Sequence, residues 1–175
     1  MKTKAFFVIA ALAMVFSMVS CEKDNIEPEP VPNPEDSTQV VPGGPETVSG
    51  NVSGVWEAGS TVYVDGHIVV PEGESLTIEQ GVTVVFSDAG VGVNHAAIEF
   101  SVDGNLYCLG TEDEPVRLTV AEELRTAANT FQGLWGGIVA GATCGEMLID
   151  HTIIEYTGGQ VIEGSPAAEN GYYTA

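Results

Sequence analysis

Asp150-His151 is the one place in this sequence where a carboxylate adjoins an imidazole, the pairing from which a general base can be built. It falls in an apolar alternating run, "LIDHTIIEY", and strand neighbours point to opposite faces. The pair therefore reads as outward strand residues before it reads as a catalytic couple. Glycoside hydrolysis would need two carboxylates at a fixed separation. With 25 acidic residues in the chain, pairings such as Asp150 with Glu155, or within Glu112-Asp113-Glu114, carry almost no information, and "TEDEP" is most simply a solvated turn. Elimination from a uronate needs a cation to neutralise its carboxylate and a base to take the proton. After residue 50 the only basic residues are Arg117 and Arg125, and Arg117, between Val116 and Leu118, has the place of a solvated strand side chain. No residue is assigned a catalytic role.

His67, His95 and His151 show no H-x-H or H-E-x-x-H spacing, so zinc is unsupported and no cofactor is expected. Calcium takes oxygen ligands from acidic turns. Its candidates are Asp65, Asp103 and Asp113, with Asp88 beside them, although no Asp-x-Asp-x-Asp loop is present. Trp135 and Tyr156 are the candidate ligand-binding aromatics, able to stack on sugar rings if exposed. Gly136 and Gly137 would let a ligand or a neighbouring turn approach the backbone closely. The more ordinary role for Trp135 is packing beneath a loop at 121–133.

The elements that must position these residues are short strands. From about residue 51 the chain is rich in Val, Ile, Thr, Gly and Asp, alternates with period two, and has no helical periodicity beyond about two turns. "EELRTAAN" at 122–129 is the one helix-like stretch; it lacks an apolar stripe and is expected to be a loop with at most one helical turn. "YVDGHIVV" (63–70), "TIEQGVTVVF" (77–86) and "SVDGNLYCLG" (101–110) share one plan of strand, acidic or amide residue, glycine, strand. One hairpin would explain one of them. Three in series, with strands of three to five residues, suit a coil in which each strand stacks on its equivalent in the next turn. Ile68, Val70, Leu76, Ile78, Leu106 and Cys108 then face inward, and an alternative register in the second segment, shifted by one residue, puts Val82, Val84 and Phe86 inward. Cys108 reads as a small buried hydrophobe rather than half of a disulfide with Cys144.

The series "PEGESLTIEQGVTVVF", "VDGNLYCLGTEDEPVRLTV", "GLWGGIVAG" and "LIDHTIIEYTGG" resembles the right-handed parallel β-helix (pectin-lyase-like) repeat lipoproteins of diderm bacteria. Leu76 to Ile78, Gly81-Val82, Gly110-Thr111, Pro115-Val116, Leu118-Thr119, Trp135 to Ile138 and Ile154 to Gly159 carry the resemblance, over about residues 60–159. It implies an all-β, right-handed parallel β-helix, of which 51–175 would be the N-terminal turns, incomplete at the C-terminus. Residues 160–175 offer only Val161-Ile162 and then small and polar residues, which is not a cap.

Residues 1–20, with Lys2 and Lys4 before an apolar run from Ala5 to Val19, follow the plan of a secretory signal peptide. Met18-Val19-Ser20-Cys21 resembles a bacterial lipobox, with Met18 where Leu is usual, which implies lipidation (palmitate among the acyl chains) of Cys21 and attachment to a membrane. Residues 21–50 contain six of the nine prolines and few large apolar side chains, so they read as a disordered tether. "CEKDN" resembles the export tags of surface-displayed lipoproteins, implying an outer-membrane lipoprotein at the cell surface. Loss of the leader would leave Lys23, Arg117 and Arg125 against all 25 acids, a surface that repels nucleic acid.

These readings favour a non-enzymatic, lipid-anchored surface β-helix that serves as a binding or adhesion module, with glycans or another surface protein as partner. The alternatives are a carbohydrate-active enzyme, lyase or glycoside hydrolase, with its catalytic turns in a further C-terminal part, and a structural envelope protein.

Overall fold

A computed structural model describes residues 46–172; the expected signal peptide, Cys21 and the tether up to residue 45 lie outside the described residues. Every named strand pairs in parallel. The first turn of the coil is β1 (Glu46–Asn51) and β2 (Gly54–Trp56), and the second is β3 (Thr61–Val70) and β4 (Ser75–Ile78). The third holds β5 (Thr83–Phe86), β6 (Glu99–Val102) and β7 (Asn105–Leu109). The fourth holds β8 (Val116–Val120), β9 (Gly137–Ala140) and β10 (Met147–Asp150), and β11 (Thr152–Ile154) opens a fifth.

The turns stack into a seven-stranded and a four-stranded sheet. The long strand β3 bends the larger sheet into two faces. Its first half pairs with β5 through Val62↔Val84 and Val64↔Phe86, its second half with β6 through Ile68↔Phe100, and both halves with β1. β8 and β11 extend the first face, β9 the second, and β2-β4-β7-β10 form the third. This is a right-handed parallel β-helix. The tether reading placed residues 46–50 outside the fold, but they belong to β1, where they hydrogen-bond beside β3.

In-register stacking turns period-two alternation into continuous interior ladders. Val64, Phe86 and Val120 form one, and Trp56, Ile78 and Cys108 another, all buried. All the residues expected inside are buried, and each large apolar side chain contributes roughly 1.5–3 kcal/mol. Burial also pushes the Cys108 thiol up to about 12, against a smaller opposing hydrogen bond with Thr152. Cys108 and Cys144 are both free.

The three strand-glycine-strand segments are not equivalent turns, as the shared plan had suggested. Gly66 lies at the bend between first and second faces, Gly104 between second and third, and Gly81 between third and first of the next turn. The sequence likeness reflects a shared need for a sharp bend. Gly81 takes φ +71°, and a Cβ on Gly104 would collide with the Pro71 and Glu74 carbonyl oxygens.

Candidate functional site

The insertions of the coil gather at one bend, between the first and second faces. There Asp65-Gly66 turns within β3, residues 87–97 loop out between β5 and β6, and residues 121–136 loop out between β8 and β9. The chain beyond β11 leaves from the same bend. The 87–97 loop is closed at its base by Val91 and Ala96, which exchange backbone hydrogen bonds of 2.8 and 2.9 Å, and its tip residue Val93 is 95% exposed. In the 121–136 loop a single 3-10 turn, Glu122–Leu124, is the only helical element, as the sequence had suggested. Arg125 Nε donates to the Val120 carbonyl at 2.8 Å and Asn129 Nδ2 to that of Leu124 at 2.9 Å, while Phe131 stands 93% exposed.

The C-terminal segment is folded rather than loose. Ser165-Pro166-Ala-Ala-Glu169 has a capping hydroxyl, a proline preset for the first helical position and two alanines, and forms the one-turn helix α1 (Pro166–Glu169). Ala167 and Ala168 are buried against β6, and the Tyr172 hydroxyl donates to the Ala140 carbonyl at 3.0 Å. The segment straps the second face. It does not close the end of the coil, where Leu148, Ile149 and Ile154 remain exposed.

Beneath the strap lies a group that the sequence did not single out. Glu99 faces outward from β6, yet it is only 2% exposed, and its Oε2 accepts a 2.6 Å hydrogen bond from the Ala167 N–H. The Glu99 N–H in turn donates to His67 Nδ1 at 3.0 Å. With Nδ1 accepting, the proton of the neutral ring sits on Nε2. Burial lowers the His67 pKa, against the opposing pull of the Glu99 and Glu169 carboxylates. His67 lines a cleft of about 320 Å³ between the 87–97 loop and the strap, together with Val91, Val93, Asn94, Ile162 and Glu163. That volume is at the lower end of small-molecule sites.

The expected site residues fall elsewhere. Trp135 is fully buried inside the coil, stacked on Phe86 with centroids 3.9 Å apart and rings 3° from parallel, and its Nε1 donates to the Glu155 carbonyl at 2.8 Å. It offers no face to a sugar. Tyr156 is half-buried against the core, at φ +60°. Asp65 lies at the bend between first and second faces, Asp103 between second and third, and Asp113 between third and first, so one ion cannot gather the three. Among the described residues no three His, Cys, Asp or Glu side chains cluster as a metal site would require.

His151 Nδ1 and Asp150 Oδ1 do meet, at 2.8 Å, but both side chains are more than half exposed, at the bend between third and first faces. Arg117 is paired rather than simply solvated. Its guanidinium donates to Glu155 Oε1 at 2.7 Å, and that oxygen also accepts from the Thr119 hydroxyl at 2.8 Å. Glu155 is thereby held as an ion-pair partner instead of standing free beside Asp150.

Parallel in-register turns around a continuous apolar interior define a β-helix protein. The chain belongs to the pectate-lyase-like β-helix domain family, whose model matches residues 48–164. Comparisons with curated proteins and with solved structures returned no match.

Proposed function

We propose that this protein is a non-catalytic binding module, anchored by lipid on Cys21 at the outer membrane and displayed at the cell surface, which uses the looped bend of its β-helix to hold glycans. One observation carries the reading: both insertions and the C-terminal strap meet at a single bend, where the 87–97 loop and the strap line a cleft, while the rest of the coil has short bends. Repeat coils bind through the loops that their turns project to one side. Both arginines of the described residues are engaged by the protein itself, Arg117 with Glu155 and Arg125 with the Val120 carbonyl, which favours binding over uronate elimination. The acidic surface suits neutral or cationic partners.

A carbohydrate array probed with the full chain tests the reading. Selective retention of a glycan class supports it, whereas an array that stays blank points to a structural envelope role. Incubation with uronate polymers tests the enzymatic alternative, and new absorbance from an unsaturated product would overturn the non-catalytic reading. Detergent phase partitioning tests the anchor: Cys21→Ala should move the protein to the aqueous phase.

A further inference from the structure

The polar groups around the cleft differ in kind from those a uronate site would need. Glu163 is an exposed carboxylate on its wall, and Glu99 and Glu169 lie close enough to His67 to act on its charge. His67, with its pKa lowered, is neutral near pH 7 and brings a ring N–H rather than a positive charge. Among the described residues no lysine or arginine lines the cleft. Across the chain 25 acids face five basic residues, so no distant excess of positive charge offsets this field.

The walls add a second constraint. Val91, Val93 and Ile162 give apolar surface of the sort that the C–H face of a sugar ring covers, and Asn94 supplies both an amide donor and an acceptor for hydroxyls. The volume suits one or two rings rather than a long chain.

We propose that this cleft binds a protonated amino sugar, with the ammonium group set against Glu163 and the ring between the valines and Ile162. The inference rests on the reading of the cleft as a glycan site and narrows it, because it assigns the opposite charge to that of a uronate. Neutral N-acetylated sugars lose the ion pair, and uronates meet repulsion.

Calorimetric titration of the full chain in detergent tests this with three disaccharides: glucosamine, N-acetylglucosamine and galacturonate. The glucosamine disaccharide is expected to bind more tightly than the other two, and to weaken as salt is raised. Glu163→Gln should weaken it about fivefold, near the upper end for a solvent-screened ion pair. Glu72→Gln, an exposed acid at another bend, should leave binding unchanged. Equal losses in the two variants would mean diffuse attraction to an acidic surface and would overturn the site. Binding of lysine amide as tightly as the amino sugar would overturn the sugar assignment. If N-acetylglucosamine binds as well as glucosamine and shifts the Gly92 and Asn94 amide resonances, the ammonium assignment fails and the cleft stands. If an array-positive glycan leaves those resonances unmoved, the cleft itself is the wrong site.

Discussion

Glu99 and Ala167 are 68 residues apart in sequence, and a 2.6 Å hydrogen bond between the Glu99 carboxylate and the Ala167 N–H ties the C-terminal strap to β6. A buried carboxylate is tolerated where a backbone donor satisfies it, and this N–H belongs to the first turn of α1, whose free donors favour negative charge. Glu99→Ala is therefore expected to cost about 1.5–3 kcal/mol, the usual worth of a hydrogen bond to a charged group. Glu99→Gln keeps an acceptor oxygen and should cost less. Denaturant unfolding measures both, and amide exchange at Ala167 should accelerate more in the alanine variant than at the core of β6.

The burial of Glu99 shows where the sequence stops being legible. Inward residues such as Leu76, Ile78 and Leu106 follow from alternation within their own strands, a local signal, and all are buried. Bends at Gly66, Gly81 and Gly104 are equally local, but their assignment to three different corners depends on the path of the whole turn. "IEFSV" at 98–102 presents Glu99 as an ordinary outward acid. Only the arrival of Ser165 to Ala168 from much later in the chain buries it, and this contact anchors the strap whose Ile162 and Glu163 line the cleft. Trp135 left two readings open for a related reason, since an aromatic beside two glycines suits a sugar platform as well as a core position, and its burial against Phe86 decides for the packing role.

His67 should make stability depend on pH. Its folded pKa lies below the ordinary histidine value of about 6.5, because burial disfavours the charged ring. A depressed folded pKa means that the unfolded chain binds the proton more readily. The contribution is therefore fully present above about pH 6.5 and is lost as the pH falls from there through the folded pKa. Protonation also removes the Nδ1 lone pair that accepts from Glu99 N–H. Urea midpoints at pH 7.5 and 5.5 should differ more for the native protein than for His67→Gln. Equal differences would show that other groups carry the dependence.

Trp135→Ala is expected to destabilise the coil by about 3–5 kcal/mol, as for other large aromatic truncations. The variant leaves one face of Phe86 and the Glu155 carbonyl without partners. Trp135→Phe retains a ring over Phe86 and should cost much less. Because Trp56 is also buried, acrylamide should quench tryptophan emission of the native protein weakly. Strong quenching would contradict the interior placement of both rings.

Tyr107 donates its hydroxyl to Glu146 Oε2 at 2.9 Å, and this hydrogen bond raises its pKa above 10. Glu146→Gln replaces the carboxylate with a neutral amide. The Tyr107 ring resonance, followed by NMR, should then titrate at lower pH than in the native protein; an unchanged midpoint would mean that the pair is open in solution.

Ile149 continues the interior ladder of Trp56, Ile78 and Cys108, yet it is 41% exposed where Cys108 is fully buried. Ile154 stands likewise above the buried Leu118, at 39%. Among the described residues, β10 pairs only with β7 and β11 only with β8, so their outer edges present free N–H and C=O groups beside apolar side chains. Such an edge is a template for pairing with another chain. Residues 46–175 are therefore expected to self-associate with rising concentration, and Ile149→Lys with Ile154→Lys should shift them toward monomer by placing two charges on that end. Sedimentation velocity over a hundredfold concentration range reads the outcome. A native segment that stays monomeric throughout and melts cooperatively well above the roughly 45–65 °C usual for mesophile domains would sink the idea.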